Sequence, residues 1–359
     1  MNTERLTARG RSLVRFSTAV PMAVLAAVAV LMAAQPVMAS SPRGALGAAG
    51  SGDAAFAAGS AARSGAATLA LRPGAIASAG GISLMVPRRG LGVEADALRA
   101  DGGTQTLTAQ WTADGRVDLS WAASAAPGVA GAAPGVAGAS VGAAGPARGA
   151  PVTAPKAAAQ PAGSPSACSD RAYKLNSSWW HTTYRWSFRA STTPAYLTHA
   201  AAQKALVRGA YDITHEVNDC GRSDRVSATS TFLGSTSVGS NISSSAACLA
   251  NDGHNVVTFG TLPVSYVAFS CWWFSGHTNI EADMRINKHD YRWTSTTAGC
   301  TNQYVIQAVS THEFGHVFGL GHVSESQHAN LTMSPQIAAC DNSAATLGLG
   351  DMLGLEVRY

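Results

Sequence analysis

"HEFGHVFGLGH", His312 to His322, gathers three of the chain's ten histidines, one carboxylate and two glycines into a single short stretch. The preceding "QYVIQAVST" carries apolar residues at helical spacing. A helix is therefore predicted over Gln303 to Gly319, with Val305, Ala308, Val309, His312 and His316 along one side. Residues four apart leave a helix on the same face, so these two imidazoles can each give a nitrogen to one Zn2+ at about 2.0–2.1 Å. Glu313 lies about 100° further round, poorly aimed as a ligand and well aimed to hydrogen-bond a water at the ion's open position. A continuing helix would carry residue 322 away from that ion. Gly319 provides the bend, since glycine enters the left-handed conformation without a Cβ clash; Gly321 adds a second joint, and His322 returns as third ligand. HExxH alone is short and arises often by accident, so the third histidine with its glycine gives the pattern its specificity.

H-E-x-x-H-x-x-G-x-x-H is the metzincin signature, and through it the chain resembles the metzincin zinc peptidases. Within them it most resembles bacterial matrixin-type enzymes. "LTMSP", Leu331 to Pro335, offers Met333 eleven residues after His322, and Pro335 gives the Met-x-Pro of matrixins. The resemblance implies that Met333 forms an apolar Met-turn beneath the imidazoles without binding metal. It covers roughly Ser177 to Tyr359. Several residues depart from the family pattern. Val323 stands before Ser324 where a serine is common. Asp351 has Gly350, not a second aspartate, beside it. The stretch from Asp283 to His312 is short for loops holding a structural zinc or calcium, and no clear calcium motif occurs. His277, His289 and Asp290 lack ligand spacing and read as surface residues.

Upstream of the cluster, "TYRWSF" (Thr183–Phe188), "NVVTFGTL" (Asn255–Leu262) and "EADMRIN" (Glu281–Asn287) read as strands. Leu206, Ala210, Ile213 and Val217 mark one face of a second long helix, which Pro194 could open, and "GDMLGLEVRY" reads as a C-terminal helix. Mixed strands and helices over 168–359 predict an α+β domain, and the resemblance implies that it is of metzincin (zincin) type, a twisted mixed sheet with an active-site helix. All six cysteines fall here: Cys168, Cys220, Cys248, Cys271, Cys300 and Cys340. An even count in an exported chain implies up to three disulfides, whose pairing the sequence leaves open.

The N-terminal half has a different texture. Arginines precede the apolar run Ala19 to Ala34 and a small-residue cleavage site, so residues 1–39 are expected to be a secretory signal peptide. Residues 40–124 are expected to form a pro-region, and 125–167 an Ala/Gly/Pro-rich linker. Both are poor in bulky side chains and so read as largely flexible. The exception is "TLTAQWTADGRVDLSW", Thr106 to Trp121, a hairpin around Asp114-Gly115 that needs something to pack on. Matrixin pro-regions silence zinc with a cysteine in a Pro-Arg-Cys-Gly setting. "PRRGLGVEAD", Pro87 to Asp96, echoes it with Arg89 in place of the thiol, so latency here would be steric or through a carboxylate such as Asp96.

Charged residues are 13% of the chain and the net charge is +4, which leaves no electrostatic footprint for nucleic acid. The expectation is a secreted monomer, with the periplasm or cell surface as alternatives. It would have no membrane insertion after signal cleavage, hold one catalytic Zn2+, and hydrolyse protein or peptide substrates with Glu313 as general base. The alternative is a secreted zinc-binding module with a non-catalytic site, working through an aromatic surface around Trp272 and Trp273.

Overall fold

The structure, a computed structural model, describes residues 56–57, 64–124 and 164–359. The signal peptide expected over 1–39 and nearly all of the expected linker lie outside the described residues. In chain order the elements are β1 (Ser64–Leu69), β2 (Ile76–Ala79), β3 (Ile82–Met85), β4 (Gly92–Arg99), β5 (Thr104–Trp111), β6 (Val117–Ala123), β7 (Tyr184–Phe188), α1 (His199–Thr214), β8 (Ser230–Ser235), β9 (Ala247–Cys248), β10 (Val256–Gly260), β11 (Tyr266–Ser275), β12 (Thr278–Asn287), α2 (Ile306–Val317) and α3 (Leu349–Arg358), with a few shorter pieces between them.

Among the described residues one nine-stranded sheet runs β8-β7-β10-β12-β11-β4-β5-β6-β1. Its β8-β7-β10-β12 part is parallel, and the rest is antiparallel. "EADMRIN" in β12 is therefore interior to the sheet. β11, which ends the strands of the C-terminal half, meets the N-terminal half instead: β4 runs antiparallel to it from Tyr266↔Arg99 to Phe274↔Gly92. β2 and β3 form a second small sheet with Phe56–Ala57 and β9.

Strand alternation explains how the two halves share an interior. Side chains of β11 point alternately to opposite faces. Ala268, Trp272 and Phe274 enter the main core with α1 and α2, while Phe269, Cys271 and Trp273 enter a second core with Val93, Ala95 and Ala97 of β4 and with β2, β3, β5 and β6. Residues 64–105 are thus strands, not flexible chain, which corrects the compositional expectation. Alanine at alternate positions lets the two sheets approach closely, and Trp273 and Phe269 of the other half supply the bulk that the N-terminal residues lack. The Thr106–Trp121 hairpin forms as β5 and β6. Its turn has three residues rather than two: the Thr112 and Gly115 amides bond to Arg116 O and Thr112 O, with Gly115 at φ +78°.

α1 begins at His199, capped by Thr198, and not at Pro194. It buries Leu206, Ala210 and Ile213 and crosses α2 closely, since a Cβ at Gly209 would lie 2.3 Å from Ser310 Oγ. Disulfides join Cys168 to Cys220, Cys248 to Cys271 and Cys300 to Cys340. The second ties β9 to β11 inside the shared core, next to the β4 pairing. Trp272 and Trp273 are both fully buried, so the aromatic surface that the binding-module alternative required is absent from this fold.

Candidate metal centre

α2 presents His312 and His316 on one face, one turn apart, and both are fully buried. The helix stops at Val317 and the chain reverses at Gly319, whose φ is +96° and whose added Cβ would meet Trp179 at 3.0 Å. His322 returns to the same point. The three Nε2 atoms are 3.0, 3.2 and 3.2 Å apart. Gly321 differs from expectation. It is no left-handed joint but a close-packing position, where a Cβ would lie 3.0 Å from Asn176 Oδ1.

Hydrogen bonding fixes which nitrogen faces inward. His312 Nδ1 lies 2.7 Å from Thr332 O and His316 Nδ1 2.9 Å from Leu320 O. A carbonyl only accepts, so both Nδ1 atoms carry the proton and both Nε2 atoms turn a bare lone pair to the centre. Burial is the largest cause holding His312 at about 4 and His316 and His322 well below the usual imidazole range, the neutral state that ligation requires. Glu313 is fully buried beside them. Ser270 donates to its Oε2 at 2.5 Å, and its Oε1 has no hydrogen-bond partner. Burial pushes the Glu313 carboxyl up to about 8, against the lowering effect of Ser270.

Converging lone pairs repel, and buried carboxylates without partners are costly. One cation resolves both. The nitrogen separations approach the roughly 3.3 Å expected between donors about 2.0–2.1 Å from a tetrahedral ion. Among the described residues these three histidines form the one group of ligating side chains close enough to hold a metal. The three residues set apart in the sequence lie elsewhere: His277 is exposed with Nδ1 on Ser177 O, and His289 pairs with Asp290.

Met333 packs under the helix, where a Cβ at Gly315 would come within 2.3 Å of its sulfur. Gly315, an unspecified position of the motif, is thus required by Met333. Asp351 of α3 holds this floor, accepting from the Thr332 amide at 2.8 Å and the Met333 amide at 3.2 Å. Thr332 O in turn receives His312, so Asp351 positions a ligand from two links away. Gly350 leaves no space for a second aspartate, because a Cβ there would sit 1.9 Å from Ala172 O. Asp351→Ala strands three buried amides, those of Thr332, Met333 and Gly348, at about 1–3 kcal/mol each, and outer partners of metal ligands typically contribute 10–100-fold in affinity. Zinc titration should show a weakening in that range together with a lower melting temperature. Unchanged affinity would detach Asp351 from the site.

Sequence reasoning missed Ser270, although a lone hydroxyl in the apolar "YVAFSCWWF" was a visible signal. It also missed Asn176, whose Nδ2 donates to Leu320 O at 2.8 Å and so steadies the carbonyl that orients His316. Of the Pro87–Asp96 echo, Arg89 stacks on Trp111 away from the histidines, whereas Asp96 reaches them: its Oδ1 is 3.2 Å from His322 Nδ1 and 3.8 Å from His316 Nε2. A cavity beside His322 is lined by Val323 to Ser326 and Pro335 together with Thr104 and Thr106.

A mixed sheet beneath a helix that carries two of three convergent histidines, with a buried glutamate between them, is a metallopeptidase type of site. The comparison of families agrees: the Peptidase_M10 model, Matrixin, matches residues 268–359, so this part of the chain is matrixin-like. The matched segment includes β11, α2, the three histidines, Met333 and Asp351. No individual curated protein matches the chain.

Proposed function

We propose that the protein is a secreted zinc endopeptidase, with His312, His316 and His322 as ligands and Glu313 as general base. The observation that carries the reading is the convergence of three neutral imidazole nitrogens beside a buried, half-partnered carboxylate. A zinc ion held there supplies Lewis acidity, polarising a carbonyl and acidifying water. Glu313 takes the proton from the attacking water as it adds to the scissile carbonyl, then delivers it to the departing amine. Ser270 holds the other carboxylate oxygen, so the free Oε1 is the one that works. An extended peptide would add to β11, main chain to main chain. Val323 to Pro335 would line the pocket for the residue after the scissile bond. Met333 supports the imidazoles without ligating.

The test uses casein and the chain cut once between residues 125 and 163, so that the N-terminal strands can leave. Cleavage that a zinc chelator abolishes supports the reading. Cleavage indifferent to the chelator, or none with zinc supplied, removes it.

A further inference from the structure

We infer that Glu325 makes the cavity beside His322 selective for a basic side chain, so that the substrates are peptides with lysine or arginine after the scissile bond. The inference rests on the peptidase reading for the meaning of that position, and it names the substrate class of the same site.

Place comes first. His322 and Glu325 line one cavity, with Val323 and Pro335 as apolar wall and the hydroxyls of Ser324 and Ser326 beside them. A side chain next to a carbonyl held at the three histidines enters this cavity. Glu325 opens a short helical turn, Glu325–His328, and is only 8% exposed.

Its charge is unanswered. Ser334 donates its hydroxyl proton to Glu325 Oε2, and among the described residues nothing donates to Oε1. Two cations that could have paired with it are engaged elsewhere. Lys174 lines the same cavity, but its charge acts on Glu94, Asp96 and His322 and not on Glu325. His328 of the same turn lies 2.9 Å from Asp170. Burial raises the Glu325 carboxyl above its ordinary value, with the Ser334 hydroxyl opposing.

The local structure has no need of that charge. A glutamine would accept the same Ser334 proton and make the same tie between the turn and the Met333 loop. A buried carboxylate without a cation opposes folding, and an ammonium or guanidinium entering the cavity removes that penalty. Oε1 then accepts one N–H in a charge-assisted hydrogen bond, and the serine hydroxyls can accept others. An apolar side chain in the same place desolvates the carboxylate further and offers it nothing, which is how the cavity rejects it.

The experiment uses the chain cut once between residues 125 and 163, in the Glu313→Gln form, so that binding is read apart from cleavage. Two fluorescein-labelled alanine hexapeptides, carrying lysine or norleucine at the fourth position, are titrated by anisotropy with zinc present. Norleucine has nearly the length of lysine and no charge. The lysine peptide should bind at least about tenfold more tightly, the scale of one charge-assisted hydrogen bond. Adding Glu325→Gln should make the two peptides bind equally. Ser334→Ala breaks the tie, keeps the charge and should keep the preference. Equal binding of the two peptides overturns the inference. So does a preference that survives Glu325→Gln, or one lost equally in both variants, which would make Glu325 a tie for the loop. Casein supplies a second readout. Mass spectrometry of the products made by the cut parent chain should find lysine or arginine after the cleaved bonds. Cleavage without that bias overturns the inference and leaves the peptidase reading in place. Glu325-dependent binding of the lysine peptide, in a chain whose parent never cuts casein, sinks the peptidase reading alone and leaves the selectivity of the cavity standing.

Discussion

Glu313→Gln should lower casein cleavage by the cut chain by about 10²–10⁴-fold, the range for loss of a positioned general base, while zinc stays bound. Glutamine keeps the size and the hydrogen bond from Ser270, so the core around α2 has no reason to move. What it loses is a group able to accept a proton. The three imidazoles that would hold the ion are untouched, so metal affinity falls only modestly. Zinc content by mass spectrometry and kcat/KM on one peptide separate the effects. A variant that keeps full activity excludes Glu313 as the base, and one that loses zinc with activity makes Glu313 part of the metal's support instead.

The variant also isolates what the sequence could disclose. His312, Glu313, His316 and His322 were legible because a helix repeat and one glycine turn are local rules, and local rules fix where four side chains in eleven residues can meet. Asp351 was visible only through resemblance, since its work on the Thr332 and Met333 amides depends on α3 arriving at a loop far away in sequence. The N-terminal half misled for a related reason. Ala77, Ala79, Ala95 and Ala97 are too small to build a core among themselves, and by composition they resemble linker. They are buried because Phe269, Trp273 and Tyr266, more than 160 positions on, fill the space they leave. Strand β4 carried its clue in plain view: "GVEADALR" alternates apolar residues with two acids, which marks one face as buried core and the other as charged. What that charged face meets is decided by the pairing with β11, a contact between distant segments that no local pattern encodes.

Removing zinc should cost the full-length chain a large part of its stability, and a melting experiment would register it. The same lone pairs and carboxylates that create affinity for a cation oppose folding when none is present. An ion that binds the folded chain alone stabilises it by about 4.1 kcal/mol at 1,000 times its Kd. At roughly 2–4 °C per kcal/mol for a chain of this size class, a chelator should lower the melting temperature by about 8–16 °C, and added zinc should restore it. His316→Ala supplies the control. It leaves two imidazoles, which cannot form the three-nitrogen site, so its melting temperature should not move with zinc. The strain of the empty site also predicts a sign. Without metal, His316→Ala should lose less stability than a buried aromatic ring normally would, because it deletes one of three mutually repelling nitrogens. A parent chain whose melting is indifferent to both chelator and zinc would mean that the three nitrogens are held by the surrounding core for some purpose other than a metal, and the chemistry assigned to Glu313 would go with them.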